Sequence, residues 1–368
     1  MKYAPYTPLL LLMLLPTGCA QLPTRYSEAD FAAEPKIDVH VHINSGSDAL
    51  IEQARADGFR LLTINVDYPD FPPIPEQLSV ARADVRQHPE IVAFAATFSM
   101  QGWDDAGWQG RVQGELDAAF AAGAVGIKVW KNIGMEFRDR AGQLVMIDDA
   151  RFDAIFEQVR QRGKVLIGHQ GEPHNCWLPL EQMTVNNDRE YFQEHPQYHM
   201  FLHPELPSYE AQMAARDRML TRHPQLHFMG AHLASLEWSF AQLARFLDRY
   251  PLAQVDVAAR MGQVQYQSNR DHAAVRAFFI KYQDRLLYGT DLTQDAAADN
   301  NALRKEAHER WISDWRYFNT GETQKVAELA EPVPGLELPR AVVDKLYYRN
   351  AERLFGQAWK PKQTEGAR

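Results

Sequence analysis

The sequence predicts a (β/α)8 barrel, an α/β TIM-barrel fold in one domain. Three observations carry the prediction. Short apolar runs rich in β-branched residues alternate with longer helical patterns, which marks a parallel sheet covered by helices. The runs number about eight, the count at which such units close on themselves. Several later runs end on residues able to do chemistry, as expected where strand ends meet at one rim. The alternative is a doubly wound open sheet. No Gly-x-Gly-x-x-Gly turn follows an early strand, so a dinucleotide site has no support.

The N-terminus stands apart. Leu9 to Leu15 is nearly all leucine, with Lys2 ahead of it and Pro16-Thr17-Gly18-Cys19 behind. That run is too short to cross a bilayer as a helix and fits a secretory signal. Gly18 before Cys19 resembles a bacterial lipoprotein signal, although Pro16 stands where an aliphatic residue is usual. The resemblance implies cleavage before Cys19, lipidation of Cys19, and a periplasmic protein of the bacterial cell envelope held to a membrane only by its anchor. Ordinary secretion and a misplaced start are the alternatives. Residues 1–19 then read as signal, 20–35 as a tether, 36–356 as the barrel and 357–368 as a tail. With only Cys19 and Cys176 present, no disulfide framework exists. Nothing near Cys176 in sequence marks it as an activated nucleophile.

Lys36 to Ile43 reads as the first strand. Period-two alternation puts Ile37, Val39, Val41 and Ile43 on one face and Asp38, His40 and His42 on the other. Burying such polar groups unpaired costs about 1–3 kcal/mol each. A metal ion held by the imidazoles, with Asp38 steadying a ligand ring, compensates them. Ordinary hydrogen-bonded histidines at a strand end are the bland alternative.

The remaining strands are expected over 59–66, 91–98, 124–130, 164–169, 226–232, 254–259 and 285–290. Helical patterns lie between them over 74–87, 113–122, 148–162, 208–222, 236–249 and 271–282. Asp148 and Ser235 read as N-caps, and Gly123 and Gly163 as helix stops. Two segments break the rhythm. Gly171–Pro207 and Thr293–Pro339, the second carrying Trp311, Trp315, Tyr317 and Phe318, are both expected as loops over the barrel mouth.

The strand ends carry Lys128, His169, His232, Arg260 and Asp291. A parallel barrel brings them to one rim with His40 and His42. The net charge of −9 gives no basic footprint, which argues against nucleic acid. The expected partner is a small molecule; the oligomeric state stays open, a homodimer being one option.

Taken in order, Asp38-x-His40-x-His42, His169, His232 and Asp291 resemble the motifs of the amidohydrolase superfamily, in its amidohydrolase-2 branch. The tail Asn350-Ala-Glu-Arg-Leu-Phe-Gly resembles the terminal helix of that branch. The resemblance implies that His40, His42, His169 and Asp291 hold one divalent ion, Zn²⁺ before Mn²⁺, with an open position for water. Asp291 would move the proton, and His232 would orient water or polarise a carbonyl. His232 as a further ligand and Asp291 as a mere helix cap are the alternatives. Lys128 either bridges two ions as a carboxylated lysine or stays an ammonium facing substrate. Arg260 offers a planar fork for a carboxylate or phosphate, or a structural ion pair. Glu172, His174 and Trp177 follow His169 directly and are expected to line the pocket.

The branch holds hydrolases of lactones, esters and amides and also non-oxidative decarboxylases. Export leans the reading toward hydrolysis of a C–O or C–N bond. Decarboxylation of a carboxylic acid is the alternative, and a catalytically inactive surface binding lipoprotein is the third.

Overall fold

The computed structural model describes residues 24–356 and 358–359. The expected signal segment and Cys19 lie outside the described residues. Parallel strands run in sequence order as β1 (Lys36–Ile43), β2 (Phe59–Ile64), β3 (Val92–Thr97), β4 (Gly126–Val129), β5 (Val165–Gly168), β6 (His227–Gly230) and β7 (Ala253–Asp256). The eighth barrel strand comes in two pieces, β8 (Leu286–Leu287) and β9 (Leu292–Gln294). The first pairs with β7 and the second with β1, so the sheet closes. Across the gap, the Val39 amide donates to Tyr288 O at 3.0 Å. The predicted barrel is the observed one.

Inside the barrel, Ile37, Val39, Leu62, Ile64, Ile167, Met229 and Leu287 form one buried cluster. Phe355 and Trp359 belong to it, and Trp359 Nε1 donates to Leu61 O at 2.9 Å. Trp359 therefore packs into the fold rather than trailing in the tail. Complete burial of such a side chain stabilises by about 1.5–3 kcal/mol. The described part of the expected tether, residues 24–35, is also packed down. Tyr26 and Phe31 are buried, and the Lys36 ammonium donates to Phe31 O and Glu34 O over the Phe31 and Phe59 rings.

The expected alternation of β1 fails in its middle. Asp38 pairs with Leu61, but Val41 pairs with Thr63, so β1 holds one residue more than β2. This bulge flips the side chains beyond it. Ile37 and Val39 point inward, whereas Val41 and Ile43 join the outer layer under the helices.

The helices differ from expectation mostly at their starts. Ser239, not Ser235, caps the helix Phe240–Arg249. Asp149, not Asp148, caps the turn that leads into Asp153–Gln161. Gly123 and Gly163 do stop helices, with φ of +106° and +60°. Gly171–Pro207 folds into short helical turns and the helix Asn186–Glu194. Thr293–Pro339 is not a mouth loop. It contains Asn300–Asn319, the eighth barrel helix, whose Trp311, Trp315, Tyr317 and Phe318 are buried. Among the described residues, no helix is long and apolar enough to cross a membrane.

Candidate metal centre and active site

The C-terminal strand ends open into a cavity of about 330 Å³, lined among others by His40, His42, Lys128, His169, His232 and Asp291. The ring contacts are close: centroids lie 4.8 Å apart for His40 and His232, and 4.3 Å for His169 and His232.

Three imidazoles are oriented in the same way. His42 Nδ1 lies 2.7 Å from Ile64 O, and His232 Nδ1 lies 2.9 Å from Ala258 O. A carbonyl oxygen only accepts, so each Nδ1 carries the proton and each Nε2 presents a lone pair. His40 Nδ1 lies 2.9 Å from Asp256 Oδ2, which fixes the same tautomer. His40 Nε2 and His42 Nε2 then face Asp291 Oδ1 at 3.2 and 3.1 Å. Ligand atoms of His40, His232 and Asp291 all lie within 4.8 Å of one another. His169 Nε2 is buried without a partner among the described residues. Such a set of neutral imidazoles, a carboxylate and an orphaned ring nitrogen fits a divalent ion. His232 stands within the tightest group of ligand atoms, which favours the ligand alternative for it.

The electrostatics agree. Burial, aided by the Lys128 charge, holds His40 well below the usual imidazole range, and burial does the same to His169 and His232. Neutral rings are what a metal requires. Burial pushes the Asp291 carboxyl up, but positive charge placed on the facing His40, His232 and His42 rings outweighs burial and draws it well below the usual carboxylate range; with the rings neutral, a bound cation would supply that charge. Its side chain is 30% exposed, toward the cavity.

Strained backbone delivers two of these groups. His232 to Ser235 all have φ between +55° and +59°. That left-handed turn costs roughly 1–2 kcal/mol per residue. The His232 amide donates to Asp256 Oδ1 at 2.7 Å, and Tyr209 and Arg216 donate to the carbonyls of Ser235 and Ala234. Asp291 has φ +70°, with its amide 2.7 Å from His40 O.

Other expected residues divide. Lys128 is buried with Nζ 3.2 Å from His40 Nε2, and burial draws its ammonium down to about 8. Arg260 lines the cavity without any carboxylate in salt-bridge range among the described residues, and its Nε has no partner. Glu172 lines the cavity too, paired with Lys131. His174 and Trp177 do not line it. Their short helical turn faces outward, where the His174 ring stacks on Trp238 at 4.7 Å and Trp177 Nε1 donates to Pro207 O. Asp38 does not steady an imidazole; that acid is Asp256. Its signal was a lone charge inside the apolar strand Gln254-Val-Asp-Val. The mouth helix adds Asn187, Asp188, Tyr191 and Phe192, a one-face spacing legible in the sequence. Cys176 is buried, with its thiol pushed up beyond the range of a nucleophile.

Among solved structures, an uncharacterised TIM-barrel protein from Bordetella bronchiseptica is similar at 13% identity and TM-score 0.52, covering 88% of this chain and 99% of that one. A 2,6-dihydroxybenzoate decarboxylase from Rhizobium matches at 14% and TM-score 0.49, covering 88% and 98%. A probable 2-pyrone-4,6-dicarboxylic acid hydrolase from Acinetobacter baumannii matches at 12% and 0.46, covering 88% and 100%. No curated protein matches the sequence. Residues 37–357 match the Amidohydro_2 family model, described as amidohydrolase, and with the barrel and its ligand cluster in view the chain belongs to that family.

Proposed function

We propose that the protein is a metal-dependent hydrolase that opens a C–O or C–N bond, in a lactone, ester or amide, of a small substrate bearing a carboxylate. The observation that carries this reading is the approach of His40 and His42 Nε2 to Asp291 Oδ1, with a His232 ligand atom within 4.8 Å and each of the three rings set by a pinned Nδ1. His40, His42, His169 and Asp291 would hold the ion, with His232 as a further ligand beside them. The ion, Zn²⁺ before Mn²⁺, supplies Lewis acidity toward water and a substrate oxygen. Asp291, ionised and open to the cavity, accepts a proton at a carboxylate oxygen and returns it to the leaving group. Arg260 and Lys128 offer two cations without carboxylate partners in hydrogen-bond range among the described residues, which suits an anionic substrate. Tyr68, Phe71 and Trp130 give the cavity an aromatic wall. Export with a lipid anchor at Cys19 belongs to the same proposal and rests on the leucine run.

Decarboxylation is the second reading. An ammonium 3.2 Å from His40 Nε2 also suits a substrate carboxylate at the ion, with Lys128 as proton donor to the carbanion. Metal analysis comes first: about one equivalent per chain supports the single-ion site, and two would bring Lys128 in as a bridge. Turnover in H₂¹⁸O then separates the chemistries. Label in the product marks hydrolysis, and released CO₂ without label in the organic product marks decarboxylation. His40→Ala is expected to lose metal and turnover, and Asp291→Asn to lose turnover with less loss of metal. Full activity in Asp291→Asn would remove it from proton transfer.

A further inference from the structure

Asp38 alternates with the inward-pointing Ile37 and Val39 and so faces away from the cavity, and its surroundings give it a different task. The carboxylate is fully buried and accepts four hydrogen bonds. Oδ1 takes the His40 amide at 3.1 Å and the Thr290 amide at 3.1 Å. Oδ2 takes the Thr290 hydroxyl at 2.6 Å and the indole N–H of Trp311 at 3.0 Å. One side chain thus ties the backbone of His40, on the first strand, to the backbone just before Asp291, on the eighth.

Asp291 needs that support. Its φ of +70° is one that a side chain bearing a Cβ rarely adopts. Three consecutive amides fix it. Thr290 N goes to Asp38, Asp291 N to His40 O at 2.7 Å, and Leu292 N to the Thr290 hydroxyl at 3.2 Å. Two of the three run through Asp38 or through the hydroxyl that Asp38 holds. Trp311 is the only member of this group on a helix of the outer layer. It is fully buried, stacked on Phe59 at 4.4 Å and 18°, so its N–H is aimed rather than free to turn. It does not line the substrate cavity.

We infer that Trp311 and Thr290 are positioning residues for the metal centre, acting through Asp38 to set Asp291 against His40. The inference rests on the metal-dependent reading above. Neither residue touches an ion or substrate. The Trp311 N–H and the Thr290 hydroxyl hold the Asp38 carboxylate in the one orientation that serves both strands. Loss of either lets the Asp291 backbone relax, and the 3.2 Å approach of its Oδ1 to His40 Nε2 opens. Partners at this remove are commonly worth about 10- to 100-fold in metal affinity.

The test uses the full chain stripped of metal, titrated with Zn²⁺ against a competing chelator and separately with Co²⁺ to read the visible spectrum of the bound ion. Trp311→Phe keeps the stacked ring and removes the N–H. Thr290→Val removes the hydroxyl at constant volume, and Thr290→Ser restores it. The expected result is a Zn²⁺ Kd raised about tenfold or more in Trp311→Phe and Thr290→Val. The Co²⁺ spectrum is altered in both, and Thr290→Ser returns to parent values. Parent Kd and parent spectrum in both variants would overturn the inference, however far the melting temperature of the metal-free chain had fallen. Should Trp311→Phe fail to fold, the Val and Ser pair at 290 decides alone. A parent chain that binds no metal would sink the functional reading and this inference together; a parent that binds well beside variants that bind equally well sinks this inference only.

Discussion

Replacing Asp256 by asparagine isolates a single atom. Asp256 Oδ1 accepts the amides of His232 at 2.7 Å and Ala258 at 3.2 Å, while Oδ2 faces His40 Nδ1 at 2.9 Å. The two backbone donors hold the remaining oxygen of Asp256→Asn in place, so its NH₂ replaces Oδ2. A donor then meets a donor. His40 escapes by moving its proton to Nε2, the nitrogen 3.2 Å from Asp291 Oδ1, and a protonated nitrogen cannot bind a metal. Loss of such a partner is worth about 10- to 100-fold in metal affinity. That is about 1.4 to 2.8 kcal/mol at 1.4 kcal/mol per decade. The assay is Zn²⁺ binding to the metal-free chain by chelator competition, beside ¹⁵N shifts of the His40 ring to read its tautomer. A parent Kd in the variant would refute the role of Asp256. A weakened Kd with Nδ1 still protonated would refute the tautomer argument while leaving the contact important.

Other expectations follow from single contacts. Arg260→Ala should raise KM for an acidic substrate by about tenfold or more and leave its neutral amide or ester analogue little changed, because a charge-assisted pair is lost only with the acid; equal KM changes for both would end the recognition role. Asp84 is buried with Oδ2 unpartnered, and burial raises its carboxyl to about 7. The folded state therefore binds this proton more tightly than the unfolded state, and stability falls as pH rises from about 4 to about 7. Asp84→Asn should be more stable than the parent by about 1–3 kcal/mol at pH 8, with the gap closing toward pH 4; urea midpoints that differ equally at both pH values would contradict this. Trp359→Ala should destabilise by about 3–5 kcal/mol, as for other buried tryptophans; a change within 0.5 kcal/mol, about the scale of surface substitutions, would return residues past 356 to the status of a tail.

The barrel was legible because its signal is local and repeated. Most strands announce themselves as short apolar runs, several rich in β-branched residues, and the later strand ends carry residue types that apolar packing cannot explain. The candidate ligands stood out for the same reason: His40, His42, His169, His232 and Asp291 are each misfits in or at the end of an apolar run. What escaped depends on register or on orientation. The bulge between Asp38 and Val41 arises from how β1 pairs with β2, and perfect alternation of apolar and polar residues in Lys36–Ile43 concealed it. Nearness in sequence misled at His174 and Trp177, since the turn His174–Trp177 rotates both away from the cavity that Glu172 lines. The helix Asn300–Asn319 was a different failure, because its spacing of Leu303, Ala307, Trp311, Trp315 and Phe318 was visible but its many aromatics suggested a mouth loop.

The bulge has a consequence for how this site is built. In a regular strand, Asp38, His40 and His42 would all share one face, and a second acid would crowd a cluster that already holds Asp291. One inserted residue beyond Asp38 leaves that acid facing the outer layer and turns both histidines inside. The same short motif thereby supplies ligands on one side of the sheet and a clamp for Asp291 on the other. The support for the eighth strand comes from the helix Asn300–Asn319 that follows it, through Trp311, rather than from any loop at the mouth. The side chains Asp38, Asp256, Thr290 and Trp311, which brace the candidate ligands alongside the carbonyls of Ile64 and Ala258, do not line the cavity, so the bracing is separate from the groups that meet substrate.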